Sequence, residues 1–386
     1  MQLRFKIPLL FTIVAIITSL ILTLFAYFST LQAIENTQQQ QLKTTATIIQ
    51  KSFEEEGRNA GSRAEIVANM PSVKQAFRAK DRNQLLQILT PIMNIQKERY
   101  GVMEANFQLP PATSFLRVFT PKEGIGDDLS SFRETIVLAN QRQELQIGLE
   151  IGRQGLGVRG VTPVVDAQGH IGSFGISMGL APILEKIKKI TGAELGIFVD
   201  NDLMLKIATL LKPPEADQII GGLRVESATN WQRIRNLVSS DLLRTVNDTR
   251  MIVQKVDDTN YGITLLPLLD FKGKKIGVIV AGQNLQELVS YGNGVLVNAL
   301  ALGSLIMILL AGTGTVLFNG LLLRPLLAIS NAMHSLNMHD TMRSIDALSQ
   351  RKDELGRIAR GLEKLHQRLI PLEVAEPNQE EAQNHD

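Results

Sequence analysis

The sequence predicts an α+β extracytoplasmic domain, entered through a long N-terminal helix, held between two transmembrane helices and followed by a cytoplasmic helical bundle. Three observations predict this architecture. Two long runs of the 386-residue chain carry no charged residue. The stretch between the runs alternates helix-like and strand-like segments. The stretch after the second run repeats apolar residues at heptad spacing.

The two uncharged runs are Ile7–Phe28 and Val295–Leu323. Each reaches or exceeds the ~20 residues with which a helix crosses a bilayer. The first is too long for the ~7–15-residue apolar core of a cleavable signal peptide, so we interpret it as an uncleaved anchor. The alternative is a buried hairpin in a soluble protein, which two uncharged runs of this length disfavour. We therefore predict transmembrane helices at 7–28 and 294–323.

Basic residues beside these runs predict the orientation. Arg4 and Lys6 precede the first run, and Arg324 follows the second. Basic flanks favour the cytoplasmic side of a membrane. Residues 1–6 and the segment after 323 are therefore predicted to be cytoplasmic, and residues 29–293 extracytoplasmic.

Composition excludes several kinds of site. The formal net charge is only +2, which gives no indication of nucleic-acid binding, and the chain contains no cysteine. Disulfides, zinc–thiolate centres and thiol nucleophiles are therefore excluded. The five histidines show no spacing typical of metal ligands, and no P-loop occurs. We predict no metal, no cofactor and no catalytic residue.

The predicted outer domain begins with a polar, glutamine-rich helix from about Leu31 to Phe77. A second helix is predicted over Asp128–Asn140, where apolar residues recur at helical spacing. The predicted strands of the first half are Phe115–Phe119, Leu145–Ile151, Gly157–Val165 and Ile171–Met178. A shorter cycle then follows, with a helix at Pro182–Ile190 and strands at Leu195–Val199, Met251–Val256, Ile263–Leu268 and Lys275–Ala281.

Part of this region resembles a known family of sensors. The segments that carry the resemblance are Leu116-Arg117, Gly126 to Ser130, Arg133, Gly148 to Arg153, Gly155-Leu156, Arg159-Gly160, Pro163 and Gly172-Ser173. They look like a double Cache domain, the extracytoplasmic ligand-binding domain of many bacterial chemoreceptors, which consists of two PAS-like modules. The resemblance implies a distal module at about 60–180, a proximal module at about 181–285, and a multi-pass protein of the bacterial inner membrane with a periplasmic sensor domain.

Several arginines of the distal module are candidates for ligand binding. A guanidinium group holds a carboxylate or phosphate through two hydrogen bonds at once, so converging arginines form an anion site. The alternative is that these arginines pair with Asp127, Asp128 or Glu150, which could also bind a ligand amine. The predicted ligand-binding residues are Arg117, Arg159, Arg133, Asp128 and Arg153, with Arg117 and Arg159 as the first choices.

Two short patterns match enzyme motifs only as strings of letters. Gly155 to Gly160 fits a dinucleotide fingerprint, but a strand-like segment follows it where that fingerprint needs a helix. Gly175 to Gly179 fits a nucleophile elbow around Ser177, but the serine continues an alternating strand. The four histidines that follow Ser177 lie beyond the second predicted span. We therefore predict that the chain is not an enzyme.

The segment after the second span resembles a HAMP domain over 324–371. Pro325 opens a first heptad stretch, and the Asp353-Glu354-Leu355-Gly356 element opens a second. A HAMP domain is a parallel four-helix bundle of two chains, so the resemblance implies a homodimer. Residues 372–386 are predicted to be a disordered acidic tail. A methyl-accepting signalling domain, which a chemoreceptor would carry next, is absent from the sequence.

The sequence is compatible with three functions. The first is a receptor that binds a small extracellular solute, an organic anion or an amino acid, and relays the signal through the HAMP segment to a separate cytoplasmic partner, as in chemotaxis. The second is a regulatory subunit without an output domain that pairs with a complete chemoreceptor or sensor kinase. The third, which rests only on the two enzyme-like strings, is a membrane-bound ectoenzyme.

Overall fold

The structure is a computed structural model that describes residues 3–334 and 346–373. The chain divides into two compact units. Residues 32–291 form the first, called here the sensor unit, and the second consists of the segments on either side of it. Residues 335–345 of the predicted HAMP domain and most of the predicted tail lie outside the described residues.

The predicted helix-and-strand pattern is present in the structure, with additional elements. The helices are α1 (Leu3–Ala68), α2 (Pro71–Arg78), α3 (Arg82–Tyr100), α4 (Glu134–Arg142), α5 (Leu180–Thr191), α6 (Asn201–Ile207), α7 (Trp231–Leu237), α8 (Ser240–Arg244), α9 (Gln286–Phe318), α10 (Arg324–His334) and α11 (Glu354–Glu373). The strands are β1 (Val102–Leu109), β2 (Thr113–Arg117), β3 (Gln146–Gly152), β4 (Gly155–Asp166), β5 (Gly169–Met178), β6 (Glu194–Asp200), β7 (Ile219–Ile220), β8 (Leu223–Ala228), β9 (Arg250–Val256), β10 (Thr259–Leu269) and β11 (Lys275–Asn284).

The distal module is a five-stranded antiparallel sheet in the order β2-β1-β5-β4-β3. Side chains alternate between the two faces of a strand, so each face can have its own chemistry. One face is apolar and packs against the N-terminal helices, with Phe107 between the rings of Phe77 and Phe174 at centroid distances of 4.8 and 4.6 Å. The opposite face is polar and carries the candidate site.

Small residues let α1 approach the distal sheet closely. Ala60 and Ala64 are buried on this helix, and Gly160 of β4 lies against the helix backbone. A Cβ atom at Gly160 would lie 2.2 Å from the Gly61 nitrogen and 2.5 Å from its Cα. Backbone atoms cannot yield as a flexible side chain does. The packing of α1 on the sheet therefore depends on the absence of a side chain at Gly160.

The proximal module is a six-stranded antiparallel sheet in the order β7-β8-β6-β11-β10-β9. Its first face continues the core that the distal sheet shares with the N-terminal helices. Its second face is covered by α7 and α8 and is filled by apolar side chains. The buried members of this second cluster are Phe198, Ile234, Leu237, Leu243, Val246, Ile263, Leu265, Val278 and Val280.

The predicted start of the Asp128–Asn140 helix is wrong. Helix α4 begins only at Glu134. Asp128 instead forms an isolated bridge with Thr113, and its carboxylate accepts a hydrogen bond from the Ser130 backbone nitrogen at 2.9 Å. This local side-chain bond competes with helix formation. Residues 128–133 therefore form a turn in front of the distal sheet.

Two helices are long and apolar enough to cross a membrane, by length and composition. They are the N-terminal part of α1 and helix α9, whose most apolar 18-residue windows are 6% and 0% buried. A core helix of a soluble protein would be mostly buried. Within this second unit the two helices meet through the Phe11 and Phe318 rings, 6.0 Å apart, and through a hydrogen bond from the Ser19 hydroxyl to the Gly303 carbonyl.

We expect Gly160→Ala to lower the free energy of unfolding of the full chain by about 1–3 kcal/mol, because the added methyl group overpacks the contact with α1. Gly179→Ala is the matched control. Its added Cβ would meet its nearest neighbour at an ordinary 3.6 Å, and its backbone is in the extended region. Thermal unfolding in detergent, followed by circular dichroism, checks the difference. Equal melting temperatures for the two variants would contradict the packing argument.

Candidate functional site

The candidate site is the polar face of the distal sheet. Glu104 of β1, Ser177 of β5 and Arg159 of β4 lie directly opposite one another and therefore share this face. Two residues further along β1, Asn106 lies opposite Arg117 of β2. The turn at 128–133 and helix α4 stand in front of this face. A row of buried polar side chains is thus held by backbone pairing rather than by a flexible loop.

The most deeply buried ion pair of this face joins Arg159 to Glu104. The Arg159 Nη1 atom lies 2.5 Å from Glu104 Oε2, and the Arg159 side chain is 1% exposed. The Nε atom donates to the Glu150 carbonyl at 3.3 Å. Burial acts to raise the pKa of Glu104, but the charges of Arg159 and Arg133 outweigh it and hold this pKa below its ordinary value. Glu104 is therefore ionised at neutral pH.

A second ion pair ties the start of α4 to β3. The Arg133 Nε atom donates to Glu150 Oε2 at 2.8 Å. The same carboxylate accepts from the Thr135 backbone nitrogen at 3.1 Å and from the Thr135 hydroxyl at 2.8 Å. Burial and the neighbouring Arg159 charge lower the pKa of Arg133, although Glu150 and Glu104 act in the opposite direction. Glu150 has three donors and is fully engaged within the protein.

The outer part of the site holds a third carboxylate, Asp127. The Arg117 Nη2 atom lies 3.1 Å from Asp127 Oδ2, and the Arg153 Nη2 atom lies 3.5 Å from the same oxygen. Two guanidinium groups thus share one carboxylate oxygen. The Arg153 guanidinium also lies 5.9 Å from the Phe132 ring centre, a cation–π distance. This side of the site is the more exposed one, since Arg153 retains 35% of its side-chain exposure.

A small cavity of about 20 Å³ lies among these groups. This volume accommodates one or two water molecules. Its walls are formed by Glu104, Asn106, Ser114, Arg117, Leu129, Phe132, Arg133, Arg153 and Gln154. We call it the distal cavity.

The charges around the distal cavity do not cancel. Four guanidinium groups, from Arg117, Arg133, Arg153 and Arg159, meet the three carboxylates described above. The buried Arg159 Nη2 atom has no hydrogen-bond partner among the described residues. A buried donor without a partner costs free energy, and an excess positive charge attracts an anion. The site is therefore chemically suited to an added carboxylate.

The structure brings together four of the five predicted ligand-binding residues. Arg117, Arg133 and Arg153 form part of the cavity wall. Arg159 lies beneath that wall, so direct contact between Arg159 and a ligand stays a prediction. Asp128 faces Ser130 and does not line the cavity, and its carboxylate pKa is lowered by the backbone and side-chain hydrogen bonds from Ser130. Its contact with a ligand also stays a prediction.

The sequence prediction missed Glu104, the central acid of the site. Strand β1 was not predicted, although it contains a strict alternation of polar Glu104, Asn106 and Gln108 with apolar neighbours. This period of two was the available signal for a strand with one polar face. The predicted alternative, pairing of the arginines with acids, is present in the structure. Ligand binding by these arginines stays a prediction.

The two enzyme-like strings fall in or at the end of strands. Gly155–Gly160 lies within β4, and Ser177 lies within β5 with a side chain that is 1% exposed. Among the described residues there is no group of three or more histidine or acidic side chains placed to hold a metal ion.

We expect Glu104→Gln to cost about 3–5 kcal/mol of unfolding free energy at pH 7, because it leaves a buried guanidinium charge without its partner. The Glu104 pKa is lowered in the folded chain, so its stabilisation is complete above its ordinary pKa of about 4.3 and is lost as the pH falls through the folded value. The deficit of the variant should therefore shrink below about pH 4.3. Thermal unfolding between pH 3 and 7 tests this, with the exposed Glu123→Gln as control. A deficit that stays constant with pH would contradict it.

Comparisons with known proteins now bear on the fold. A family model described as a double sensory domain of two-component sensor kinases matches residues 35–289, about two thirds of the chain. No curated protein matches the chain in sequence. The double Cache prediction is confirmed by the family match. With the two apolar helices that flank it, the match indicates a membrane-anchored protein with an extracytoplasmic sensor domain.

Solved structures with a similar arrangement include sensor domains of two bacteria. The periplasmic domain of LuxQ from Vibrio cholerae is 12% identical, with a TM-score of 0.39 over 62% of this chain and 98% of that one. The ligand-binding domain of a Campylobacter jejuni chemoreceptor, in complex with 4-methylisoleucine, is 10% identical, with a TM-score of 0.40 over 68% and 94%. No ligand or partner of this chain follows from these similarities. It is the match over residues 35–289 that establishes the family: the chain belongs to the double sensory domains of two-component sensor kinases.

Proposed function

We propose that this protein is a transmembrane receptor whose distal module binds a small anionic or zwitterionic solute, an organic acid or an amino acid, outside the cytoplasmic membrane. The proposal rests on one observation. Four guanidinium groups and only three carboxylates converge on the polar face of a sheet in a sensory domain. A ligand carboxylate supplies the fourth negative charge.

Arg117 and Arg153 are the groups best placed to receive that carboxylate. They share the single oxygen Asp127 Oδ2, so each retains donors that Asp127 does not engage. Arg133 reaches the same cavity from the other side while its Nε atom stays on Glu150. Arg159 holds Glu104 in place beneath them. A ligand amine, if present, has Glu104 and the Asn106 side chain on the cavity wall as acceptors.

Ligand entry requires the cover of the distal cavity to move. A cavity of about 20 Å³ does not hold an amino acid. Leu129 and Phe132, which form part of its wall, belong to the turn at 128–133 rather than to the sheet. An outward shift of this turn also moves Arg133, which stands immediately before α4. Binding is therefore coupled to the position of α4.

The output of the receptor is proposed to pass through the predicted HAMP segment to a separate cytoplasmic signalling protein, in a homodimer. Helix α11 supports this proposal. Leu355 and Ala359 on one side of it are buried, and Leu362 packs beside Ala359. Ile358 and Leu365 are 51% and 59% exposed. Exposed apolar residues at this spacing fit the seam of a coiled coil with a second copy.

The alternative of a regulatory subunit that pairs with a complete receptor uses the same sensor chemistry. It differs only in the identity of the second chain in the bundle. The exposed residues Ile358 and Leu365 fit a partner helix of either origin. The crosslinking experiment below separates the two, since only a homodimer yields crosslinks between copies of the purified chain.

We expect a thermal-shift screen of the full chain in lipid nanodiscs to identify a stabilising amino acid or a two- to six-carbon organic acid. For such a ligand, Arg117→Ala should weaken binding by about 2–5 kcal/mol, because a desolvated charge-assisted contact is lost. Arg78→Ala is the matched control, since this arginine pairs with Asp166 at the far end of the same sheet. Calorimetry measures both affinities. Unchanged binding by a folded Arg117→Ala protein would remove Arg117 from the site.

We expect a single cysteine at position 358, introduced by Ile358→Cys, to form disulfide-linked dimers in membranes under mild oxidation. The chain has no other cysteine, so every crosslink reports this position. Arg357→Cys is the control, because the Arg357 side chain is 75% exposed and does not belong to the heptad series of apolar residues. Gel electrophoresis of the purified chain measures both rates. Equal rates at the two positions would contradict a parallel helical dimer.

A further inference from the structure

A second cavity, of about 180 Å³, lies between the two modules of the sensor unit. It is much larger than the distal cavity, and the Phe132 ring forms part of the wall of both. The distal module contributes β3 and the start of α4, and the proximal module contributes α6 and the turn between β10 and β11. We call it the inter-module cavity. Cavities at such boundaries are frequent sites for small ligands.

Contacts between the two modules border the inter-module cavity on both sides. The Phe271 backbone nitrogen, in the β10–β11 turn, donates to the Leu149 carbonyl of β3 at 2.8 Å, and the Phe271 ring lies against Gly148. At the rim, Lys272 pairs with Glu134 at 3.1 Å. The two modules are thus joined at this cavity by a backbone hydrogen bond and an ion pair.

Six of the twelve residues that line the inter-module cavity are apolar. Ile151 and Ile276 are buried, and Leu203 and Ile207 of α6 are half-buried beside them, with Phe132 opposite. An aliphatic group that binds against these side chains is transferred out of water. Each buried methylene is worth about 0.8 kcal/mol, which corresponds to about fourfold in affinity.

The charged groups of the rim leave one cation without an ion-pair partner. Glu150 is occupied by Arg133 and Thr135, and Asp270 accepts from the backbone nitrogens of Lys272 and Lys274 at 2.9 and 2.8 Å. Glu134 is paired with Lys272. The Lys274 ammonium has no ion pair in the described part of the chain. Lys274 is therefore the cation of this rim that remains available to pair with a ligand carboxylate, while Asp270 keeps its negative charge beside it.

We propose that the inter-module cavity is a second ligand site, which takes a small amphipathic anion with a carboxylate at Lys274 and a short aliphatic chain against Ile151, Leu203 and Ile207. This site is independent of the proposed distal ligand. It touches both modules at once, so occupancy fixes the position of α4 and β3 relative to the β10–β11 turn. A ligand here stabilises one arrangement of the sensor unit.

The test uses the full chain in lipid nanodiscs, with propanoate, butanoate, pentanoate and hexanoate as probes. The sole tryptophan, Trp231, reports thermal unfolding of the proximal module. We expect affinity to rise about fourfold for each added methylene up to the length that fills the cavity. The matching alkylammonium series should bind more weakly, because an ammonium group cannot pair with Lys274. Nanodiscs without protein control for partitioning of the probes into lipid.

Variants separate this site from the distal one. Lys274→Gln should weaken hexanoate binding about two- to fivefold, as expected for a partly exposed charge pair. Ile207→Asp should abolish hexanoate binding. Two controls should leave this binding unchanged. They are Lys189→Gln, which changes an exposed lysine outside the cavity, and Arg117→Ala in the distal cavity. Affinity that does not depend on chain length, equal binding of alkylammonium ions, or full binding by Ile207→Asp would each overturn the proposal. Loss of binding in Arg117→Ala alone would assign the probe to the distal cavity instead.

Discussion

The burial of the Arg159 guanidinium is the constraint on which the rest of the distal module depends. A charge that is 1% exposed is tolerated only with an opposite charge and hydrogen bonds in place. Glu104 provides the charge because β1 and β4 both pair with β5, which places the two residues on either side of Ser177. The Glu150 carbonyl satisfies a further donor. Strand order and register are thus tied to the pairing of one arginine.

The two modules use the same face of the sheet in opposite ways. In the distal module the face beneath α4 carries ionised and hydrogen-bonding side chains beside a small apolar cluster that includes Ile136 and Val161. In the proximal module the corresponding face, beneath α7, is packed with aliphatic and aromatic groups such as Phe198 and Ile234. An apolar face that excludes water stabilises its module by burial alone. A face of buried ion pairs stabilises its module only while each charged side chain keeps its partner. The proposed ligand chemistry of the distal module uses this difference between the two sheet faces.

Sequence patterns predicted the strands better than the site. Strands β3, β4, β5, β6, β9, β10 and β11 were all predicted within a few residues, because alternation and punctuating glycines mark them. The arginines were also recognisable, since positive charges in apolar strands stand out. Their partners were not, because pairing across strands depends on register. Glu104 and Arg159 are 55 residues apart, and only the β1-β5-β4 order brings them together.

The missed helix start at α4 has the same origin. The spacing of Leu129, Phe132 and Ile136 fits a helix, and nothing in that pattern shows that Asp128 will be held by a bridge to Thr113. The consequence is functional as well as structural. Because residues 128–133 form a turn, Phe132 lies between the distal and inter-module cavities instead of on a helix surface. A long-range backbone contact thus decides which side chains can line a ligand site.

Strand β3 connects the chemistry of the distal site to the rest of the sensor unit. Its Glu150 side chain holds Arg133 at the start of α4, while the neighbouring Leu149 carbonyl accepts the bond from Phe271. Phe271 begins the turn that leads into β11, and β11 ends at Asn284, two residues before α9 begins. A strand of ten residues spans roughly 33 Å. Strand β11 alone therefore covers most of the chain between the β10–β11 turn and the start of α9, without an intervening loop. A shift of α4 that displaces Glu150 would also displace the neighbouring Leu149 carbonyl, which holds the β10–β11 turn through its hydrogen bond from Phe271. Because β11 is paired on both edges, with β6 and β10, a displacement of the β10–β11 turn would act on a strand that is held along its whole length.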